Sequence, residues 1–362
     1  MQPFFIHPDI TQAETLPSSF YRSQEVFDLL IEKVFAKTWQ YAGDVTKVSL
    51  PQQVHPFSFL EFGLEEPMLL TNSEGQLSCV SNVCTHRGNI LCHAPGKSRQ
   101  ITCAYHGRRF DLKGEFQHMP QFKEAQNFPR KADDLTRFPL LQWGPWLFTA
   151  LNEEMDFQAV LDAMNRKVGF LPLEQFREDK SRNKDYLVNT HWALYCDNYL
   201  EGFHIPFVHD SLNAVLDYGK YETILYPNAN LQVGHSSGGE HVFDLPSDHE
   251  DYGKQISAYY FWLFPNMMFN FYPWGCSINI VKPIAINRTK VSFLTYVYDE
   301  SKLDTGAGAA LDKVEREDEF VVEGVFRGMS SRVYQTGRFS PQMEKGVHHF
   351  HGLLAEALGK TE

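Results

Sequence analysis

The spacing of hydrophobic and polar positions changes several times along the chain, and each change predicts a different kind of element. Pro3, Pro8 and Pro17 interrupt residues 1–22, so that stretch is expected to be irregular. Ser23 then fits a helix N-cap. Val26, Phe27, Leu29, Leu30, Val34 and Phe35 recur at helical spacing and predict an amphipathic helix over 24–37, ending near Trp39. From about residue 40 to 150 that period is lost. Short β-rich runs separated by Gly, Pro and Asn replace it, at 57–62, 68–71, 77–82, 101–104 and 146–150, and predict a small all-β module. The second half opens with a helix over 157–168. It continues with strands at 186–190, 221–225, 259–264, 269–272, 277–282 and 290–298, and a long helix runs from about Ala309 to Ser331. No internal repeat or low-complexity linker interrupts the chain, so the expected domains pack against one another. The first element, 1–39, is a segment and helix packing on the second domain. The all-β module is 40–150 and the second domain 151–362, an α+β chain overall.

Two short stretches inside the all-β module carry chemistry. Cys84-Thr-His86-Arg-Gly88 and Cys103-Ala-Tyr-His106-Gly107 each offer one thiolate and one imidazole, a donor set for a borderline or soft transition metal. Gly88 and Gly107 allow the sharp turns that two opposed ligand loops require. A structural zinc is the plain alternative, but zinc fingers pair Cys with Cys and His with His. One Cys and one His per loop matches a Rieske [2Fe–2S] centre, where two histidines replace two cysteines on one iron.

A second segment, Trp192 to His209, holds His204 and His209 five residues apart. On an unbroken helix such a pair diverges by about 140°, but Pro206 between them removes a backbone donor and breaks the helix, so both rings can turn to one ion. A carboxylate would complete a facial metal triad. On the long C-terminal helix, Val314, Val321, Val322, Val325, Phe326 and Met329 form an apolar face. Asp318 falls near its middle, Glu317 and Glu319 on its flanks or beyond, and Glu315 toward one edge. A charge in an apolar stripe is unfavourable unless bound to metal or paired, so the alternative for Asp318 is a buried ion pair.

Composition narrows the field. A formal net charge of −12 argues against nucleic acid and acidic partners. Met1 to Pro8 lacks the basic and apolar regions of a signal peptide, and no run is long and apolar enough to span a membrane. Cys79, Cys92, Cys196 and Cys276 read as free thiols of a reducing cytoplasm.

With these residues in view, the chain resembles the oxygenase subunit of the Rieske non-haem iron oxygenases over nearly its whole length. The resemblance implies a helix-grip catalytic domain around an antiparallel sheet, with a mononuclear Fe(II) held by His204, His209 and Asp318. It implies that Glu201, three residues before the first of these histidines, bridges to a cluster histidine of a neighbouring subunit. Asp197 and Asn198 share that segment and join Glu201 as candidate catalytic residues. The segments Asp197 to His204, Phe264-Pro-Asn-Met and Gly346-Val-His-His-Phe-His351 are similar to the branch that oxidises quaternary ammonium compounds. His348, His349 and His351 are expected to be structural, and Arg108 stands where many members have Trp. The resemblance further implies electrons from NAD(P)H through a separate flavin-containing reductase, O2 as co-substrate, and a ring-shaped homotrimer. Oxygen inserted at a carbon bonded to nitrogen gives a carbinolamine, which collapses to an aldehyde and an amine.

A quaternary ammonium substrate calls for aromatic faces, worth about 0.5–2 kcal/mol per ring. Trp262 and Tyr272 are the candidates, although aromatics on both faces of consecutive strands most often mean a doubly buried sheet. The alternative substrate is an aromatic ring or aromatic acid, hydroxylated or O-demethylated, which calls for a cation facing its carboxylate. A stand-alone electron carrier would have no use for His204, His209 and Asp318.

Overall fold

The structure is a computed structural model that describes residues 4–213, 217–238, 241–303 and 311–359. It divides into two units, residues 36–155 and residues 1–35 with 156–362.

In the 36–155 unit, alternating short apolar runs pair as antiparallel strands. Glu66–Ser73 is the centre of a five-stranded sheet ordered Gly96–Lys97, Gln53–Phe59, Glu66–Ser73, Gln76–Ser81 and Arg137–Phe138. A three-stranded sheet, Ile101–Thr102, Arg109–Phe110 and Phe116–His118, carries the second Cys-His loop. Leu69, Val80, Ile101, Phe110 and Leu112 share one core with Cys84 and Cys103, so both thiols are anchored from the apolar side. The predicted strands at 57–62 and 101–104 are displaced or shortened, because turns at each end consume residues with strand propensity.

The other unit is built on an eight-stranded antiparallel sheet. Its path runs Arg177–Glu178, Arg288–Val297, Gly275–Ala285, Met267–Tyr272, Ile256–Leu263, Ala229–His235 and Glu222–Tyr226, with Lys184–Val188 also pairing to Arg288–Val297. Register decides what each face meets. Gln232 opposes Tyr260, Tyr260 opposes Asn270, Asn270 opposes Ser277, and Asn279 opposes Phe293, so these residues share one face. Asn230 and Trp262 lie two residues further along that face. There the helix Lys345–Gly359 covers them: the Trp262 and Phe350 rings are 5.0 Å apart, and Asn230 Nδ2 donates to the Gly346 carbonyl at 3.2 Å. On the opposite face the helix Phe157–Val168, capped by Asp156, brings Lys167 to Asp251 and Tyr259.

The long C-terminal helix is Leu311–Gly328; Ala309 and Ala310, at its predicted start, lie outside the described residues, as does Pro3. One correction falls in the first segment. Residues 18–22, expected to be irregular, form the helix Ser18–Arg22, because Pro17 stands at its N-cap and lacks only a donor that position does not need. The tail around His348 lies in the helix Lys345–Gly359, a fifteen-residue element. No helix among the described residues is long and apolar enough to cross a membrane.

Candidate metal centres and the adjoining cavity

The two Cys-His loops fold alike. The Gly88 N–H donates to the Cys84 carbonyl and the Gly107 N–H to the Cys103 carbonyl, both at 3.0 Å. Both glycines have positive φ, +72° and +73°, where a side chain would be strained. Cys84 and Cys103 are each 2% exposed, and the His86 and His106 rings are 4.7 Å apart. Nδ1 of each ring is buried without a hydrogen-bond partner. Leaving such an atom unsatisfied costs about 1–3 kcal/mol, which a metal bond removes. Two thiols and two vacant imidazole nitrogens fit a [2Fe–2S] centre in which His86 and His106 bind through Nδ1. The Asn89 amide lies 3.7 Å from Cys103 Sγ and adds a hydrogen bond to that sulfur. Arg108 is buried below the loops. Its guanidinium pairs with Asp133 at 2.7 Å and sits over the Phe110, Phe116 and Phe128 rings, so a cation occupies a site that an indole could fill by stacking.

The second site joins three separate elements. The helix Trp192–Tyr199, which His191 caps through Ala193 N, ends before Glu201. A single turn, Ile205–Val208, follows, with Pro206 in its first turn. The helix is therefore interrupted at 200–204, not between the two histidines, and Pro206 does not break a helix there as expected: it stands in the first turn of the next one, where its missing N–H is no loss. Three side chains converge: one ligand atom each from His204, His209 and Asp318 lie within 4.8 Å of one another. His209 Nε2 is 3.0 Å and His204 Nε2 3.5 Å from Asp318 Oδ1. Ligands at right angles around an ion with bonds of about 2.1 Å stand about 3.0 Å apart, close to this spacing.

Carboxylates fix both rings. His204 Nδ1 bonds Glu201 Oε1 at 2.7 Å and His209 Nδ1 bonds Glu317 Oε2 at 2.8 Å, which places each Nδ1 proton there and turns the Nε2 lone pairs toward Asp318. Two lone pairs and a carboxylate oxygen facing one another call for a cation between them. Burial alone would disfavour charge on His209, yet hydrogen bonds to Asp318 and Glu317 outweigh it and raise its affinity for a proton. The remaining Glu201 oxygen accepts from the Phe203 and His204 amides, and Asn198 Nδ2 donates to Asp318 Oδ1 at 2.6 Å.

A cavity of about 120 Å³ opens beside this trio. Tyr272 is in its wall. Trp262 is not: it lies on the same sheet face but under Phe350, beneath the covering helix. Asp197 is also outside the lining. Its oxygens meet Tyr21 OH at 3.1 Å and His351 Nε2 at 3.0 Å, while the Leu16 N–H donates to His351 Nδ1, so Asp197 fastens chain segments together. His348 and His349 bond the His7 carbonyl and the Asn230 side chain.

Two carboxylates escape sequence reasoning. Glu317 orients His209. Glu315, placed at the edge of the apolar stripe by the helical wheel, is only 4% exposed and lines the cavity, because the helix Trp192–Tyr199 packs over it. Tyr195 OH donates to Glu315 Oε2 at 2.5 Å, and burial, against that bond, pushes the carboxyl up to about 8.

Comparison with known proteins identifies both domains. Residues 38–129 match the Rieske [2Fe-2S] domain, and residues 173–360 match the ring hydroxylating alpha subunit catalytic domain. The chain is 29% identical to the chloroplastic choline monooxygenase of Beta vulgaris, over 97% of this chain and 79% of that one. It is 27% identical to the carnitine monooxygenase oxygenase subunit of Escherichia coli (strain K12), over 98% of each. The crystal structure of the quaternary ammonium Rieske monooxygenase CntA in complex with L-carnitine superposes with a TM-score of 0.74, at 23% identity and 97% coverage of both chains. With its cluster loops and catalytic sheet matched in turn, the chain belongs to the Rieske oxygenase alpha subunits, as a Rieske non-haem iron oxygenase.

Proposed function

We propose that this protein is the oxygenase component of a monooxygenase acting on a quaternary ammonium compound. The observation that carries the reading is the cavity wall. Tyr195, Tyr199, Tyr221, Tyr260, Tyr272 and Phe293 bring six aromatic rings to the space beside the trio, and no lysine or arginine is among the described lining residues. Aromatic faces attract a cation. An aromatic acid would find no basic side chain for its carboxylate. The similarity to choline and carnitine monooxygenases supports the same substrate class.

Cys84, His86, Cys103 and His106 would hold the cluster, and His204, His209 and Asp318 the mononuclear iron. Iron bound there would supply oxygen activation beside the substrate. The chain's own residues do the rest. Glu201 and Glu317 keep both imidazoles in the ligating tautomer, and Asn198 holds Asp318 in place. Tyr199 and Tyr221 are fixed by hydrogen bonds to Asn270 and Gln232, so their rings are set before substrate arrives.

Glu201 is proposed to carry a second role, coupling His204 to a cluster histidine of the neighbouring subunit in a head-to-tail homotrimer. Inter-subunit electron transfer described for a quaternary ammonium Rieske monooxygenase of 23% identity supports it. Electrons would come from NAD(P)H through a separate flavin reductase. The six unpaired cysteines support a reducing cytoplasm. Glu201→Gln is expected to retain cluster absorption and iron while lowering turnover about 100-fold or more, as steady-state rates would record; a rate near wild type would remove the bridging role.

The deciding experiment is a single turnover of chemically reduced, iron-loaded protein with O2, offered quaternary amines and aromatic acids together, with products read by mass spectrometry. An oxygenated, demethylated or cleaved amine with untouched aromatic acids is the expected outcome. Conversion of an aromatic acid instead would overturn the reading.

A further inference from the structure

The side chain in the cavity that the metal chemistry does not use is Glu315. One of its oxygens is committed to Tyr195, but Oε1 is buried and without a partner. A buried carboxyl oxygen left unpaired is unfavourable by about 1–3 kcal/mol unless something charged or a donor meets it. No described residue provides that group. Glu315 lies three residues, about 4.5 Å of rise, before Asp318, so it borders the space that a substrate beside the iron would fill.

The rest of the wall decides what else the substrate carries. Several donors that could receive an anionic tail are committed to the protein. Gln232 Nε2 donates to the Tyr199 carbonyl at 2.6 Å, Asn270 Nδ2 to the Ser277 carbonyl at 3.0 Å, and Tyr199 OH to Asn270 Oδ1 at 2.8 Å. Glu315, Glu201 and Asp318 make the lining acidic, with no lysine or arginine among its described residues.

We propose that Glu315 is the anionic anchor for the substrate's ammonium group, and that it makes the enzyme select a small permanent cation with a neutral tail, such as an ammonium alcohol, over a zwitterion bearing a carboxylate. This rests on the quaternary ammonium reading above and narrows it. A permanent cation cannot shed its charge on entering a buried site, so it benefits fully from a facing carboxylate. Burial raises the Glu315 carboxyl to about 8 in the empty cavity, so the anchor ionises as the cation enters and offsets that cost. A zwitterion would have its carboxylate set among carboxylates and committed donors.

The test is binding to the reduced, iron-loaded holoenzyme without O2, measured by calorimetry with three probes: choline, its neutral carbon isostere 3,3-dimethylbutan-1-ol, and L-carnitine. Wild type is expected to bind choline at least about tenfold more tightly than either of the others, about 1.4 kcal/mol. In Glu315→Gln, which keeps the size and can still accept from Tyr195, the choline-to-isostere ratio is expected to fall to within about threefold. Cluster absorption and iron content confirm that the variant is assembled. A variant that keeps the wild-type ratio overturns the anchor. Carnitine binding as tightly as choline in wild type overturns the selectivity, and that arm needs no variant. Binding of neither choline nor carnitine in wild type would overturn the quaternary ammonium reading itself.

Discussion

The two metal sites present opposite nitrogens of their histidines. At the cluster loops Nδ1 of His86 and His106 is buried and vacant, whereas at the second site Nδ1 of His204 and His209 is occupied by Glu201 and Glu317 and Nε2 faces inward. The first arrangement is local: four ligands between Cys84 and His106 are placed by two alike turns. The second is assembled from residues more than a hundred positions apart, and each ring needs a carboxylate to hold it. A local site is specified by its turns, while a long-range site must be specified by its hydrogen bonds.

Replacing a ligand on each side gives the largest expected contrast. Cys84→Ser should abolish the visible cluster absorption while His204, His209 and Asp318 still bind iron. Asp318→Ala should lose that iron and turnover yet keep the cluster spectrum. Metal analysis with absorption spectroscopy checks both, and loss of cluster absorption in Asp318→Ala would break the separation. Glu317→Ala sharpens the contrast at the level of orientation. Without its Nδ1 partner, His209 should bind iron about 10–100-fold more weakly, read by chelator competition, with cluster absorption unchanged.

The smallest effect concerns how each unit buries a basic residue. Arg108 rests on three aromatic rings and Asp133, while Lys167 depends on Asp251 at 2.7 Å, with Glu250 at 3.2 Å. Burial alone would raise the Asp251 carboxyl, but hydrogen bonds from Lys167, Lys254 and Tyr259 hold it down to about 2. Its folded pKa lies below the unfolded value of about 3.9, so its contribution is present above pH 4 and lost as pH falls toward 2. The difference corresponds to about 2.5 kcal/mol. Thermal melts from pH 5 to pH 2.5 should show the catalytic sheet losing this increment, and Asp251→Asn should flatten that dependence.

The Rieske domain was legible because one Cys and one His in each of two glycine-closed loops suits a Rieske cluster and little else. Asp318 was legible because a charge interrupted an apolar stripe. Glu315 was not, since a helical wheel ranks positions by their own helix and cannot show that Tyr195 of another helix closes over one edge. Trp262 and Tyr272 could not be separated in sequence because the strands are buried on both faces, so alternation carries no signal. Only the register, which sets Trp262 two residues beyond Tyr260 and under Phe350, divides the cavity wall from the helix-covered part of that face. Asp197 stood inside the informative segment, but its partners, Tyr21 and His351, lie far away in the chain.

The tie from Leu16 through His351 to Asp197 has a consequence for biosynthesis. It joins residues 335 positions apart, while the cluster unit is one continuous stretch, 36–155. At about 5–20 residues per second, residue 351 leaves the ribosome about 10–40 s after residue 155. The iron–sulfur half can therefore fold, and receive its cluster, while the iron half still awaits the helix that closes it.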